Sequence, residues 1–354
     1  MDVEATKDVG HEQAAVPGRG RAARWLLVAL NCGMLVVGTT GGPLISRLYF
    51  SKGGHRQWLS AWLQTAGWPL LLVPVAASYL SRRARDRRAP LFLTPTRVLL
   101  AGVGLGFLNG ADDFIYAYGL AYLPVSTSAI LISTQLAFTV FFACLIVRQR
   151  LTAATLNGVA LLTIGAVVLG LHASKDRPAG VTSGKYWMGF FLTLGAAALY
   201  GLILPLVELA YKHAAGGGRA VTYALVMEMQ LVMGFFATAF CTVGMAIPRE
   251  AKQYELGEAR YYVVLVFNAV LWEFFFVGAV GVIFCVHTLL AGIIIAVFIP
   301  ITEVLGVIFL HEKFSSEKGV ALVLSLWGLA SYSYGEYADA KAKKKAALEA
   351  EEAS

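Results

Sequence analysis

Residues 97–119 read RVLLAGVGLGFLNGADDFIYAYG, an apolar stretch long enough to cross a bilayer as one α-helix. After Arg97, its only charged residues are Asp112 and Asp113. Apolar stretches of about 20 residues, the length that spans a membrane, recur along the chain, with charged residues grouped between them. This alternation predicts a polytopic helical protein that lies in a lipid bilayer.

The composition of the 354 residues supports the same class. Apolar residues make up 58% and charged residues 14%, against about 45–50% and about 25% in soluble domains. The four cysteines form no Cys-x-x-Cys pair, so neither a disulfide framework nor a zinc site is predicted. Phosphate-loop, His-Glu-x-x-His and Gly-x-Ser-x-Gly motifs are missing from the sequence. We therefore expect no enzyme and no cofactor.

We predict an all-α integral membrane protein with ten transmembrane helices, arranged as two inverted five-helix repeats. The predicted spans are 25–45, 58–80, 97–119, 124–147, 151–171, 186–210, 220–245, 261–283, 286–309 and 318–335. The resulting domains are a disordered cytosolic N-tail (1–24), a first repeat (25–171), a non-cytosolic linker (172–185), a second repeat (186–337) and a cytosolic C-tail (338–354).

The distribution of basic residues predicts the orientation in the membrane. With a cytosolic N-terminus, 18 Lys and Arg residues fall on the cytosolic side and 11 on the other. This bias, carried mostly by the cluster at Arg82–Arg88, places both termini inside. The net charge of +7 therefore reflects topology, and no nucleic-acid partner is expected.

Two short sequence matches favour the repeat. RQRL at 148–151 precedes a helix with GVAL at 158–161, and HEKF at 311–314 precedes one with GVAL at 319–322. The paired strings lie 163 and 161 residues apart, about five spans. Because an odd number of spans inverts the second copy, this spacing favours alternating access with a site between the halves.

The third span contains a polar group of four residues. Asn109, Asp112, Asp113 and Tyr116 are three or four residues apart, so that much of the group shares one helix face. Adjacent carboxylates repel each other and need hydrogen-bond donors or a proton. We expect either a substrate or proton site here, or a brace near the outer rim of the membrane.

Glu228 lies inside the seventh predicted span with no basic residue one helical turn away. A carboxyl group in such a position can take up and release a proton, as proton coupling requires. The alternative is a protonated glutamate that hydrogen-bonds to a neighbouring helix.

The eighth predicted span combines aromatic rings with an acid. Trp272 and the phenylalanines that follow offer flat apolar faces beside Glu273, which suits a planar nitrogen heterocycle. These rings could instead face lipid. Gln135, in the middle of the fourth span, could contact an adenine edge or bond to another helix.

Two further patterns favour structural interpretations. Gly102, Gly106 and Gly110 form a smooth stripe for close helix packing. Gln64 and Trp68 lie one turn apart in the second span, where an interfacial aromatic belt accounts for part of the pattern.

Several strings resemble the signature of the plant purine permeases, within the drug/metabolite transporter superfamily. They are DDFIYAYGLAYLPVSTS at 112–128, TQLAF at 134–138, HEKF at 311–314 and LWG at 326–328. The similarity covers roughly residues 25–337. The resemblance implies ten helices in two inverted halves and proton-coupled uptake of purine bases such as adenine, and of adenine-derived cytokinins. Members of the family also carry pyridoxine and alkaloids.

The resemblance also implies a set of site residues. Positions that match polar or aromatic residues of the family's motifs are Asp112, Asp113, Tyr116, Gln135, Glu228, Gln230 and Trp272. Glutamine commonly follows the tryptophan in this family, whereas Glu273 follows it here. This departure bears on specificity and on the number of protons coupled.

The sequence thus predicts a proton-driven importer of a small purine-like molecule, with the proton as coupling ion at Glu228 or Asp113. The rivals are a transporter of another nitrogen heterocycle, and a ligand-sensing protein or channel without coupled transport. We expect the plasma membrane, with the vacuole or another endomembrane as an alternative. The oligomeric state stays open.

Overall fold

The structure, a computed structural model, describes residues 21–54, 56–146, 152–171, 177–178, 180–215, 222–246, 258–285, 288–311 and 315–352. Every regular element in these ranges is a helix, as the all-α prediction requires. The first helices are α1 (Arg21–Ser51), α2 (Gln57–Thr65), α3 (Leu72–Arg85), α4 (Thr96–Tyr122), α5 (Val125–Ser133) and α6 (Gln135–Ile146). The remaining helices are α7 (Ala153–Leu171), α8 (Ser183–Ala215), α9 (Tyr223–Ala246), α10 (Glu258–Cys285), α11 (Thr288–Leu310) and α12 (Ser316–Glu352).

Seven segments of the described chain are helical, long and apolar enough to cross a membrane. They are Trp25–Ser51, Gln57–Arg85, Thr96–Tyr122, Val125–Ile146, Ser183–Tyr211, Tyr223–Ala246 and Arg260–Val282. The other three predicted spans coincide with α7, α11 and α12, and their crossing of the membrane stays a prediction. α12 continues as a helix to Glu352, beyond the predicted end of the last span at residue 335.

The second segment is a broken helix. α2 ends at Thr65, and a short 3₁₀ helix, Trp68–Leu71, joins it to α3. Pro69 lies in the first turn of this 3₁₀ helix, where no hydrogen bond from its nitrogen is needed. In the interior of a continuous α-helix, the same proline would remove a backbone hydrogen bond and clash with the preceding turn. The break therefore has a clear local cause in the sequence.

The fourth segment is also interrupted, between α5 and α6. The hydroxyl groups of Ser133 and Thr134 each donate to the carbonyl three residues back, at 2.6 Å. Such side-chain bonds compete with the helical ladder. The chain then resumes as a helix at Gln135.

The glycine stripe of α4 packs against α9, as predicted. A Cβ atom at Gly106 would lie 2.7 Å from the carbonyl oxygen of Met233, and one at Gly110 would lie 2.9 Å from that of Ala237. Gly102 meets Met229 one turn earlier. Because both helices advance together along these contacts, α4 and α9 run parallel.

Other helix pairs in contact are α1 with α10, α4 with α8, and α7 with α12. Glycines permit close approach here as well, since Gly158 of α7 lies against the backbone of Gly328 in α12. On the outer surface, large apolar side chains such as Val73 and Leu171 are 72% and 76% exposed. The acids Asp112, Asp113, Glu228 and Glu273 and the amide of Gln64 lie inside instead, the arrangement expected of a protein whose solvent is lipid.

Candidate functional site

A pair of carboxyl groups lies inside the helix bundle on α4. The side chains of Asp112 and Asp113 are only 7% and 5% exposed. Asn109, one turn earlier, donates its amide to Oδ2 of Asp113 at 2.9 Å. Among the described residues, Oδ1 of Asp112 has no hydrogen-bond partner, and neither acid pairs with a Lys or Arg. The pair can thus accept bonds from a substrate or take up a proton.

Two aromatic rings, those of Tyr116 and Trp272, form what we call the aromatic wall, one turn along α4 from this pair. The ring of Tyr116 meets the indole of Trp272 edge to face, with centroids 5.7 Å apart. The indole N–H donates to Oγ of Ser46 at 3.1 Å, and this hydroxyl donates to Oδ1 of Asn268 at 3.0 Å. The chain of hydrogen bonds fixes the orientation of Trp272, so the wall is preorganised.

Glu273 lies beside the break in the second segment. Its side chain is 5% exposed, and a Cβ atom at Gly67 would lie 2.7 Å from its Oε2 atom. Among the described residues, Glu273 makes no ion pair. The glycine at the break thus lets a buried carboxyl group approach the backbone closely.

Glu228 differs from these acids, because a cation reaches it from another helix. Its Oε1 atom lies 3.3 Å from Nη2 of Arg82 on α3. Its Oε2 atom accepts from the backbone N–H of Leu93 at 2.7 Å, and from the N–H and the hydroxyl of Thr94 at 2.9 Å each. No cation lies one turn away on its own helix, as the sequence indicates, but Arg82 reaches Glu228 from a part of the chain 146 residues away.

Glu228 is also distant from the aspartate pair. Gly110 lies beside Ala237, so that Asp113, three residues further along α4, is level with residue 240 of α9. At 1.5 Å rise per residue, this position is about 18 Å along the axis from Glu228. Gln230 is half-buried and lies only two residues beyond Glu228 on α9. It is therefore also far from the aspartate pair along the helix axis.

Gln135 begins α6 and is half-buried. Its backbone carbonyl faces Gly201 of α8, next to Tyr200. The predicted site residues therefore separate into a central group (Asn109, Asp112, Asp113, Tyr116 and Trp272), Glu273 beside Gly67, the Glu228 region with Gln230, and Gln135 at the start of α6.

Several buried polar residues are not among the predicted site residues. Gln64 is fully buried, and Ser46 and Asn268 orient the indole of the aromatic wall. Their polar side chains within apolar spans were a signal, but a span alone does not show which of its faces is buried. Lys318, the first residue of the last predicted span, is 1% exposed and donates to Oγ of Ser126 at 2.8 Å.

Comparison with known proteins assigns the chain to a family. Residues 26–342 match the family model described as purine nucleobase transmembrane transport. "Purine permease 3" of Arabidopsis thaliana is 47% identical over 329 residues, covering 90% of this chain and 93% of the relative. "Purine permease 2" of the same plant is 46% identical over 332 residues, covering 88% and 92%. These matches confirm the predicted resemblance: the chain belongs to the purine permease family, whose members are membrane transporters and not enzymes.

Proposed function

We propose that this protein imports purine bases, adenine and cytokinin-like adenine derivatives among them, together with protons. The observation that carries the proposal is the buried pair Asp112 and Asp113, which no Lys or Arg of the described chain neutralises, one turn from the ring of Tyr116. The family match and the names of the relatives support a purine as substrate.

The proton step follows from the cost of burying charge. Two adjacent ionised carboxylates in an apolar bundle are costly unless they are paired or neutralised. Protonation from the outer side lowers the cost of closing the site from water. Release of the proton to the less acidic cytosol then restores the charge and favours release of the substrate. In this scheme the proton belongs to Asp112 and Asp113, since Glu228 already holds Arg82.

The substrate step uses the aromatic wall. A planar base buries its faces against rings such as those of Tyr116 and Trp272, while polar groups at the edge set its orientation. Asp112 offers a free acceptor atom for an exocyclic N–H group. Pyridoxine and alkaloids are also flat nitrogen heterocycles, so they are the competing substrates to test.

Alternating access is supported by two features of the fold. In the two predicted repeats, α1 corresponds to α8, α4 to α10 and α7 to α12. Exchanging the repeats therefore turns the contact of α1 with α10 into that of α8 with α4, and leaves the contact of α7 with α12 unchanged. Two segments are broken helices, which transporters use at their binding sites.

We further propose the plasma membrane as location, with both termini in the cytosol.

The test is uptake of labelled adenine in yeast that lacks its own purine permease. We expect saturable accumulation that weakens as external pH rises and collapses with an uncoupler. Pyridoxine, alkaloids and cytokinins serve as competitors. Uptake that is indifferent to both pH and uncoupler would refute proton coupling, and the absence of any purine uptake would refute the substrate.

Asparagine variants of the pair locate the proton. We expect Asp112→Asn or Asp113→Asn to remove the acceleration by external acid, because an amide cannot exchange a proton in this range. Asp86→Asn is the matched control, since Asp86 is exposed outside the helices and bonds only locally to the backbone of Arg88. Full pH dependence in both pair variants would show that the proton is carried elsewhere.

A further inference from the structure

Gln64 carries a buried amide without a partner. Its side chain is 0% exposed, and among the described residues neither Nε2 nor Oε1 makes a hydrogen bond. A buried amide that gives up its bonds to water without replacement destabilises a fold. A ligand that pairs with both polar atoms of the amide would offset this cost.

The packing of the second segment shows the depth of Gln64. Thr238 of α9 donates its hydroxyl to Thr65 at 3.0 Å, and the neighbouring Ala237 lies beside Gly110 of α4. Gln64 is therefore level with residues 110–113 of α4, the turn that holds Asp112 and Asp113.

The direction of the side chain follows from its neighbours at three-residue spacing. Ala61 packs in one cluster with Ala117 of α4 and Cys241 of α9, and Gly67 packs against Glu273 of α10. Within α2, the step from Ala61 to Gln64 turns the direction by about 60° around the helix axis, and Gly67 follows just beyond the end of α2. Gln64 stands between these two positions, so it points towards the space between α4 and α10, where the aspartate pair and the aromatic wall lie.

Gln64 also lies at a helix break. α2 ends at Thr65, directly after it, and the 3₁₀ helix begins at Trp68. Discontinuous helices in transporters mark the places where backbone and side chains turn towards a substrate. This feature is independent of the unpaired amide and indicates the same place.

We propose that Gln64 reads the hydrogen-bonding edge of the purine, which rests on the proposed function and extends it. A carboxamide presents a donor and an acceptor side by side, and this pattern matches the ring nitrogen and exocyclic amine of adenine. Turned over, the same amide matches a ring N–H beside a carbonyl, as in hypoxanthine. Gln64 thus accepts 6-amino and 6-oxo purines and rejects purines without a polar group at that edge.

The test compares adenine with 6-methylpurine, which replaces the amine by a methyl group of similar size. Gln64→Met keeps the length of the side chain and removes both polar atoms. We expect the preference for adenine over 6-methylpurine, measured as a ratio of KM values, to fall by about 5- to 140-fold, the range for one bidentate amide–base contact. Ser60→Ala is the control, because Ser60 is equally buried and unpaired on α2; it should leave the ratio unchanged.

A second measurement separates recognition from folding. In purified protein, Gln64→Met should keep or raise the melting temperature without ligand, because an unpaired amide is removed. Stabilisation by added adenine should fall to the level given by 6-methylpurine. A variant that retains the wild-type ratio of KM values and the wild-type stabilisation by adenine overturns the role of Gln64 and leaves the proposed function standing. A wild-type protein that transports no purine overturns both.

Discussion

Replacing Glu228 with glutamine tests whether this acid is a structural partner of Arg82 or the carrier of the coupled proton. In the wild type, the carboxylate holds the loop before α4 through the N–H groups of Leu93 and Thr94 and the hydroxyl of Thr94. A glutamine can still accept these bonds with one oxygen. Its amide group, however, turns a donor towards the guanidinium of Arg82, which lies 3.3 Å from the replaced oxygen.

The size of the effect follows from the bonds that change. A hydrogen bond to a charged group contributes about 1.5–3 kcal/mol, against about 0.5–1.5 kcal/mol for a neutral one. Loss of the charged contact to Arg82 should therefore raise the equilibrium constant for local opening of the loop by about 10- to 150-fold. Hydrogen exchange at the amides of Leu93 and Thr94 reports this opening directly.

Transport by the same variant decides the role of Glu228. If the proton is carried by Asp112 and Asp113, Glu228→Gln alters the rate of uptake but keeps its increase in acid medium. Thr94→Val is the matched control, because it removes one hydrogen bond to the same charged carboxylate and leaves the carboxyl group in place. Exchange should rise within the same range of about 10- to 150-fold, while uptake keeps its response to pH. Unchanged exchange at Leu93 and Thr94, or uptake by Glu228→Gln that no longer responds to pH, would refute this reasoning.

Two further substitutions test the packing of the site. Gly106→Ala should lower the melting temperature, since its Cβ atom would meet the backbone of Met233. The control Gly104→Ala has open space around its Cβ atom and should gain up to about 1 kcal/mol of helix propensity. Equal effects of the two variants on thermal unfolding would contradict close packing of α4 on α9. Ser46→Ala leaves the indole N–H of Trp272 without its partner, so we expect about 1–3 kcal/mol of destabilisation and a higher KM for adenine than in wild type, checked by thermal unfolding and uptake.

The spans and the glycine stripe were predictable because both depend on patterns within one helix. Apolar length identified the seven segments, and the four-residue spacing of Gly102, Gly106 and Gly110 identified the face that meets α9. The group around Asp112 was predictable for the same reason, since Asn109 and Asp113 are one turn apart and do bond. Local spacing is sufficient when both partners lie on one helix.

Contacts between distant parts of the chain were not predictable in this way. Glu228 was judged by its own helix, where no cation is one turn away, yet Arg82 reaches it from α3. Gln64 lies near tryptophans in the second span, and an interfacial aromatic belt partly accounted for this pattern. Only the packing of α2 against α4, α9 and α10 shows that Gln64 is buried. The same apolar pattern is compatible with many rotations of a helix about its axis, so burial of a single side chain is decided by the tertiary fold.

The distance between the two groups of acids then determines which can couple a proton to a substrate by direct contact. Even two unit charges 18 Å apart interact by only about 1 kcal/mol at an effective dielectric constant of 20, and a neutral base is affected less. Protonation of Glu228 could reach a purine at the aromatic wall only through a conformational change. A proton on Asp112 or Asp113 changes the donors and acceptors beside the base itself. Coupling at the pair therefore predicts that acid lowers the KM for adenine, whereas coupling at Glu228 would act mainly on the maximal rate.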